Sequence, residues 1–393
     1  MKGGKEKEIK DCHKTVKLKE IRNYILLKCW YPAIYRFGKK RVFDKKRIII
    51  IENFGKKLSV NFQPLFEKLK KRPDLKVKII YLEKERGTKI GYLWRCTKLV
   101  WDSASAGYIF LADALNVFSC VSIRSDSVYT QLWHGCGAFK KFGNALSKGK
   151  KETYSNYNYN TWMIVSSPEV RWAYKEACGL PEEAIIATGI SRTDRFFDRE
   201  FHKRAKEKIR KYILFNTNRK IILYAPTFRG DALDAQMPRI LSLIRLKAAL
   251  EKQYVIVFKQ HPHIKEHIKI PKECADFVFD VSEKMEIDEL MCVADLCITD
   301  YSSLIFEYSI FERPILFYAY DLKEYCKEQG FFYEFESFVP GYICKTEEDI
   351  IYQIEHITDY DLKKMREFRK KFMSSCDGHA TERILKLVFG ESW

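Results

Sequence analysis

The chain has 393 residues, a net charge of +18, 46% hydrophobic residues and 15% aromatics. That composition excludes a disordered tail, a collagen-like chain and a small disulfide scaffold, and the length fits two domains with sizeable cores. The 12 cysteines are scattered from Cys12 to Cys376 without a C-x-x-C pair, several inside apolar runs (Cys120, Cys292, Cys297). They read as reduced, small hydrophobic residues of a cytosolic protein, and no zinc site is legible.

Residues 1–50 hold 16 basic and 5 acidic side chains, so +11 of the net charge lies there. The first 22 residues contain no apolar run of the signal-peptide kind. The most apolar stretch, 108–123, is too short to span a membrane and carries Asp113 and Asn116. Leu18, Ile21 and Ile25 fall at helical spacing, with Tyr24, Leu27 and Tyr31 on an adjoining face. Lys17, Lys19, Arg22 and Lys28 are interleaved, and Trp30, Tyr35 and Phe37 follow. A basic amphipathic segment over 1–44 suits an anionic membrane surface, at about 1 kcal/mol per basic residue near lipid. It equally suits an ordinary solvated helix. Nucleic acid is not expected as a partner, because no groove-reading motif or stacking platform is present.

From residue 45 the pattern predicts strands over 47–51, 77–82, 129–133, 162–166 and 184–188. Helices over 62–71, 91–102 and 169–178 fall between them, with further apolar stretches at 108–111 and 120–123. A second series opens with a very basic helix over 201–212. It continues with strands over 220–225, 254–259, 296–299 and 314–318, and helices over 238–253, 287–294 and 303–311. The tail from 346 onward reads as helices. This alternation implies an α/β chain with parallel sheets and right-handed crossovers: two Rossmann-like halves, 45–195 and 196–393, joined near 190–205.

Open α/β sheets bind ligands beyond the carboxyl ends of their strands. Four strand ends here carry chemistry. Gln131-Leu132-Trp133-His134-Gly135-Cys136-Gly137 ends in a histidine, a group able to act as a base at neutral pH, followed by a glycine-flexed turn. Tyr224-Ala225-Pro226-Thr227-Phe228-Arg229 offers a hydroxyl, a backbone N–H and a fixed cation. Phe258-Lys259-Gln260-His261-Pro262-His263 offers two positive donors to a phosphate in Lys259 and His261. His267 adds a third histidine, yet no carboxylates accompany the three, and no metal is assigned. The fourth end, Thr299-Asp300-Tyr301-Ser302-Ser303, runs into a helix whose first turn carries two hydroxyls and Glu307, which suits a diphosphate and the hydroxyls of a ribose or polyol. Each has an ordinary structural reading alone; together they converge on a cleft between two halves.

With these motifs in order, the chain over roughly 45–390 resembles the CDP-glycerol glycerophosphotransferase family, polymerases and primases of wall teichoic acid and related capsule polymers. The resemblance rests on Trp133-His134-Gly135, Gly189-Ile190-Ser191-Arg192-Thr193-Asp194, Ala225–Arg229, Lys259-Gln260-His261-Pro262, Thr299–Ser303, Arg313-Pro314-Ile315 and Tyr320-Asp321-Leu322. It departs after the histidine. There the family more often has Thr-Pro-Leu-Lys and this chain has Cys136-Gly137-Ala138-Phe139-Lys140. Glu307 stands where Asp is usual and Lys259 where Arg is common.

The resemblance implies a GT-B-type fold: two Rossmann-like domains facing across a cleft, with a helical C-terminal tail. Residues 1–44 would form the basic segment, 45–195 the acceptor domain and 196–393 the CDP-donor domain. It implies His134 and His261 as catalytic residues, and Trp133, Gly135, Cys136, Gly137, Arg192, Pro226, Thr227, Lys259, Gln260, Ser302, Ser303 and Glu307 as donor-binding, with Arg229 and Asp300 in support. The implied reaction moves a polyol phosphate, glycerol phosphate first, from CDP-glycerol or CDP-ribitol to a lipid-linked or glycan acceptor. It occurs at the inner face of the cell membrane and releases CMP. No cofactor is required by the sequence, and Mg²⁺ is compatible with it. The alternative is a GT-B glycosyltransferase using a nucleotide-sugar donor.

Overall fold

The computed structural model describes residues 20–84, 88–146, 157–213, 218–231, 234–390 and 393. Isoleucine-rich and aromatic runs make the central strands, buried on both faces as parallel strands require. Ile48 to Ile51 of β1 (Asp44–Glu52) are almost completely shielded. The first sheet adds β2 (Lys76–Tyr81), β3 (Ala106–Leu111), β4 (Val128–Gln131), β5 (Trp162–Ile164) and β6 (Ile185–Ile186), in the order β2-β1-β3-β4-β5-β6. The second contains β7 (Lys220–Tyr224), β8 (Tyr254–Phe258), β9 (Val278–Asp280), β10 (Leu296–Thr299), β11 (Ile315–Tyr318) and β12 (Tyr342–Cys344). Its order is β12-β11-β10-β7-β8-β9, and neighbouring strands in both sheets pair parallel. The α/β reading with two parallel sheets is thus correct.

In each sheet the chain winds to one edge and then restarts beside its first strand, between β1 and β3 in the first and between β7 and β10 in the second. Such reversal points open a crevice at the strands' carboxyl ends. The structure differs from the periodicity at several segments. β9 and β12 are three-residue edge strands whose apolar runs (277–279 and 342–344) are shorter than those marking β5 and β6. The helix predicted over 238–253 is Leu243–Leu250, because the Ser242 side chain accepts from Arg245 N and starts the helix there. The apolar stretch 120–123 stays irregular.

One terminal segment ties the lobes together, and the other closes the back of the first lobe. The last helix, Ala380–Phe389, returns to the first lobe. Its first N–H groups, on Ala380 and Thr381, donate to the Asp194 carboxylate at 2.9 and 2.8 Å, and the Phe389 ring lies 4.3 Å from that of Tyr108. At the other end of the chain, Leu27, Tyr31 and Tyr35 are buried in the core behind the first sheet with Leu99, Val100 and Phe118. Ile21, Tyr24 and Ile25 face outward. Lys17, Leu18 and Lys19 lie outside the described residues.

Candidate active site

A cavity of about 470 Å³ opens at the carboxyl ends of both sheets. Trp133, His134, Gly135, Cys136, Gly137 and Arg192 line it from the first lobe. Pro226, Thr227, Lys259, Gln260, His261, Ser302, Ser303 and Glu307 line it from the second. The structure therefore brings together every predicted catalytic and donor-binding position. Their partners separate what each can do.

β4 ends at Gln131, and Trp133 then adopts a φ of +62°, a left-handed conformation that costs a bulky residue roughly 1–3 kcal/mol. The Trp133 ring stacks on that of His134, with centroids 4.4 Å apart. His134 Nδ1 lies 3.0 Å from the Ala112 carbonyl and 3.1 Å from the Asp113 carboxylate, both just beyond β3. Both neighbours are acceptors, so Nδ1 carries the proton and Nε2 keeps a free lone pair. Partial burial pulls the pKa of this imidazole down. The hydrogen bond and charge of Asp113 push it up and prevail, leaving it above the ordinary value.

His261 is built the opposite way. Its Nδ1 accepts from the His263 backbone N–H at 3.2 Å, which puts the ring proton on Nε2. Burial, with His263 and Lys140 nearby, drives its pKa down to about 4. At neutral pH it is an uncharged N–H donor, not the cation expected from the sequence. Lys259 is not a free cation either. Its Nζ donates to the Ser282 carbonyl and, at 2.7 Å, to that of Met285, anchoring the end of β8 to the segment before helix Ile287–Val293.

The motifs after β7, β10 and β11 form one bonded unit. Thr227 N and Oγ1 both donate to Asp300 Oδ1 at 2.8 Å. Arg229 spans Asp300 Oδ2 (2.9 Å) and Asp321 Oδ2 (2.6 Å), and the Tyr301 hydroxyl donates to Asp321 at 2.8 Å. Arg229 and Asp300 thus stand behind the cavity and shape its wall, while the N–H and hydroxyl expected to be open at Thr227 are already engaged. Ser302 Oγ accepts from Leu304 N at 3.3 Å, whereas the exposed Ser303 makes no capping hydrogen bond.

The lobes meet through Arg192 and Gly137. Arg192 donates to the His134 carbonyl and to Asp288 Oδ1, each at 3.0 Å, and lies 3.7 Å from Glu307 Oε1. Arg195 reaches the other Asp288 oxygen at 3.0 Å. Losing one member of such a buried set strands a charge, at about 3–5 kcal/mol. Arg192 therefore holds the His134 turn against the second lobe. Burial raises the pKa of Glu307 although Arg192 opposes it, and burial pushes the Cys136 thiol well up, which removes it as a nucleophile. Gly137 has φ +64°, and a Cβ there would meet the Phe306 ring at 2.1 Å. Only glycine lets the two lobes approach at that point.

The CDP-glycerol:poly(glycerophosphate) glycerophosphotransferase family matches residues 33–390. The chain belongs to this family. It is 34% identical to a teichoic acid ribitol-phosphate primase of Bacillus spizizenii over 87% of this chain and 90% of that one. It is 33% identical to a teichoic acid glycerol-phosphate primase of Bacillus subtilis over 72% of this chain and 71% of the other. The fold is similar to that of the wall teichoic acid polymerase TagF, with a TM-score of 0.73 at 22% identity, covering 95% and 96% of the two chains. The expected resemblance is confirmed.

Two site residues of this glycerophosphotransferase-family chain escaped the sequence reading. Asp113, which supports His134 Nδ1 from outside the cavity lining, counted only as a charge interrupting an apolar run, yet it follows a strand as directly as the recognised motifs do. Lys140 was noted only within the departure from the family's usual turn, and it lines the cavity itself. Of the three histidines at 261–267, His267 turns instead to Asp280 and Glu283, at 3.9 and 3.7 Å.

Proposed function

We propose that the protein transfers ribitol phosphate from CDP-ribitol to a hydroxyl of a teichoic-acid acceptor and releases CMP. The observation that carries this reading is the pairing across one cavity of an Asp113-supported His134 with a neutral, donating His261. His134 Nε2 takes the proton of the acceptor hydroxyl as its oxygen attacks the β-phosphorus. A new P–O bond forms there, the P–O bond to the α-phosphate breaks, and CMP leaves with the electron pair. His261 Nε2–H donates a hydrogen bond to the departing phosphate. Positioning and charge stabilisation carry most of such a phosphoryl transfer.

Ribitol moves ahead of the glycerol favoured from the sequence because the ribitol-phosphate primase aligns over more of the chain at similar identity. The test supplies CDP-ribitol and CDP-glycerol with an acceptor and follows CMP. Faster release from CDP-ribitol supports the assignment, preference for CDP-glycerol reverses it, and release from neither overturns the transferase reading.

The acceptor reading places the enzyme peripherally on the inner face of the cell membrane. Among the described residues no helix is long and apolar enough to cross a membrane. Ile21, Tyr24 and Ile25 are exposed beside Arg22. On helix Lys89–Ser103, which packs against helix Tyr31–Gly38, Ile90 and Trp94 are 79% and 69% exposed. Apolar side chains among basic ones suit an anionic interface. Because Leu27, Tyr31 and Tyr35 are buried, deleting the segment would open the core; point variants are the cleaner probe. The double variant Ile25→Ser/Trp94→Ser should co-sediment several-fold less with anionic phosphatidylglycerol vesicles than wild type. Equal binding removes the membrane assignment.

A further inference from the structure

Three of the cations expected to meet the donor's charge are accounted for: Arg192 is paired with Asp288, Lys259 is held by two carbonyls, and His261 is neutral. Arg229, behind the wall, is saturated by Asp300 and Asp321. A diphosphate entering this cavity still needs a counter-charge.

Lys140 is a cavity-lining cation with neither a carboxylate nor a carbonyl partner among the described residues. It sits six residues past His134 on a short antiparallel ladder that crosses between lobes. Lys141 N donates to Gly330 O at 2.8 Å and Phe332 N to Phe139 O at 2.9 Å. Phe139 packs beneath this ladder against Phe331, Phe335 and Phe338, at 4.8 to 5.9 Å between ring centroids. The backbone of Lys140 is thus fixed from both lobes. Its Nζ donates to the Tyr325 hydroxyl at 2.7 Å and lies 5.2 Å from the centre of that ring. An ammonium has three N–H donors, so two remain for a ligand.

We infer that Lys140 binds the diphosphate of the donor, with its contact on the β-phosphate that His134 serves. This rests on the CDP-polyol reading of the same cavity. The charged and titratable groups facing the ammonium are Asp300, which favours its charge, Arg229, which opposes it, neutral His261, and the Tyr325 hydroxyl. Burial, only partly offset by Asp300 and reinforced by Arg229, brings its pKa down to about 8. The cavity therefore presents a partly desolvated cation short of negative charge, and a diphosphate supplies it. Binding of that anion raises the lysine's pKa, so donor affinity falls as pH rises through 8.

The experiment is calorimetric binding of CDP and of CMP to the full chain at pH 7 and pH 9, with CMP release from CDP-ribitol and CDP-glycerol measured in parallel. CMP lacks the β-phosphate, so the CDP-to-CMP affinity ratio isolates the contact. Lys140→Met should lose roughly 10- to 100-fold in CDP affinity at pH 7, the loss of one charge-assisted contact, and change CMP affinity less than threefold. Lys140→Arg should keep the preference for CDP and lose its decline between pH 7 and 9. An unchanged ratio in Lys140→Met, or equal weakening of both nucleotides, overturns the inference. If wild type releases CMP from no CDP-polyol, the transferase reading falls, yet the binding ratio still judges Lys140 by itself.

Discussion

The two lobes each present a histidine beyond the carboxyl end of a strand, His134 after β4 and His261 after β8, read from the chain alone as a base and as a positive phosphate donor. Their surroundings drive them apart. Asp113 and the Ala112 carbonyl hold the Nδ1 proton of His134 and lift its pKa, leaving Nε2 basic. The His263 N–H occupies Nδ1 of His261, and burial takes its pKa to about 4, leaving Nε2–H as a neutral donor. One imidazole is set to take a proton, the other to give a hydrogen bond. On the proposed function, these opposed environments separate a proton-accepting role from a hydrogen-bonding one.

The largest expected effect separates the pair outright. His134→Ala should lower kcat by about 10²- to 10⁴-fold, the range for a lost general base, with CDP affinity within a few-fold of wild type. His261→Ala should cost roughly 10- to 100-fold, as for one lost transition-state hydrogen bond. It should also leave the acidic limb of kcat/KM unmoved, because His261 is already neutral above pH 5. A limb that moves in His261→Ala would exchange the two roles. The smaller effect concerns what supports the base. His134 works when deprotonated, so activity declines as pH falls through its raised pKa. Asp113→Asn removes the group that stabilises the imidazolium, so that limb should shift toward lower pH while kcat drops about tenfold. An unshifted limb in that variant would mean that Asp113 does not tune His134.

The strand ends were legible because each pairs a short apolar run with an abrupt change of residue type, and that signal lies within about ten residues. β9 and β12 were not, since their apolar runs (277–279 and 342–344) are only three residues long, against four at β5 and β6. The sequence also marked Lys259, His261 and Thr227 as ligand-facing, and here the structure divides position from availability. All three line the cavity, yet Lys259 and Thr227 spend their donors on Met285 and Asp300, and His261 has lost its charge. Arg229 and Asp300, expected in support, are bonded to each other behind the wall. Gly137 was read as a flexible turn near the donor; its glycine is needed because Phe306 arrives from the other lobe.

What the amino-acid order determined by itself was the alternation of strands and helices, the parallel two-lobed class, and the identity of the side chains at strand ends. Those follow from contacts between neighbours in the chain and from hydrophobic period. What only the tertiary structure decided was protonation and pairing: which ring nitrogen of each histidine carries the proton, which cation is spent, which lysine is left. These depend on burial and on partners far apart in sequence, 96 positions between Arg192 and Asp288 and 185 between Lys140 and Tyr325. Electrostatic energy varies with distance through space and with exclusion of water. Neither quantity is fixed until the chain has folded.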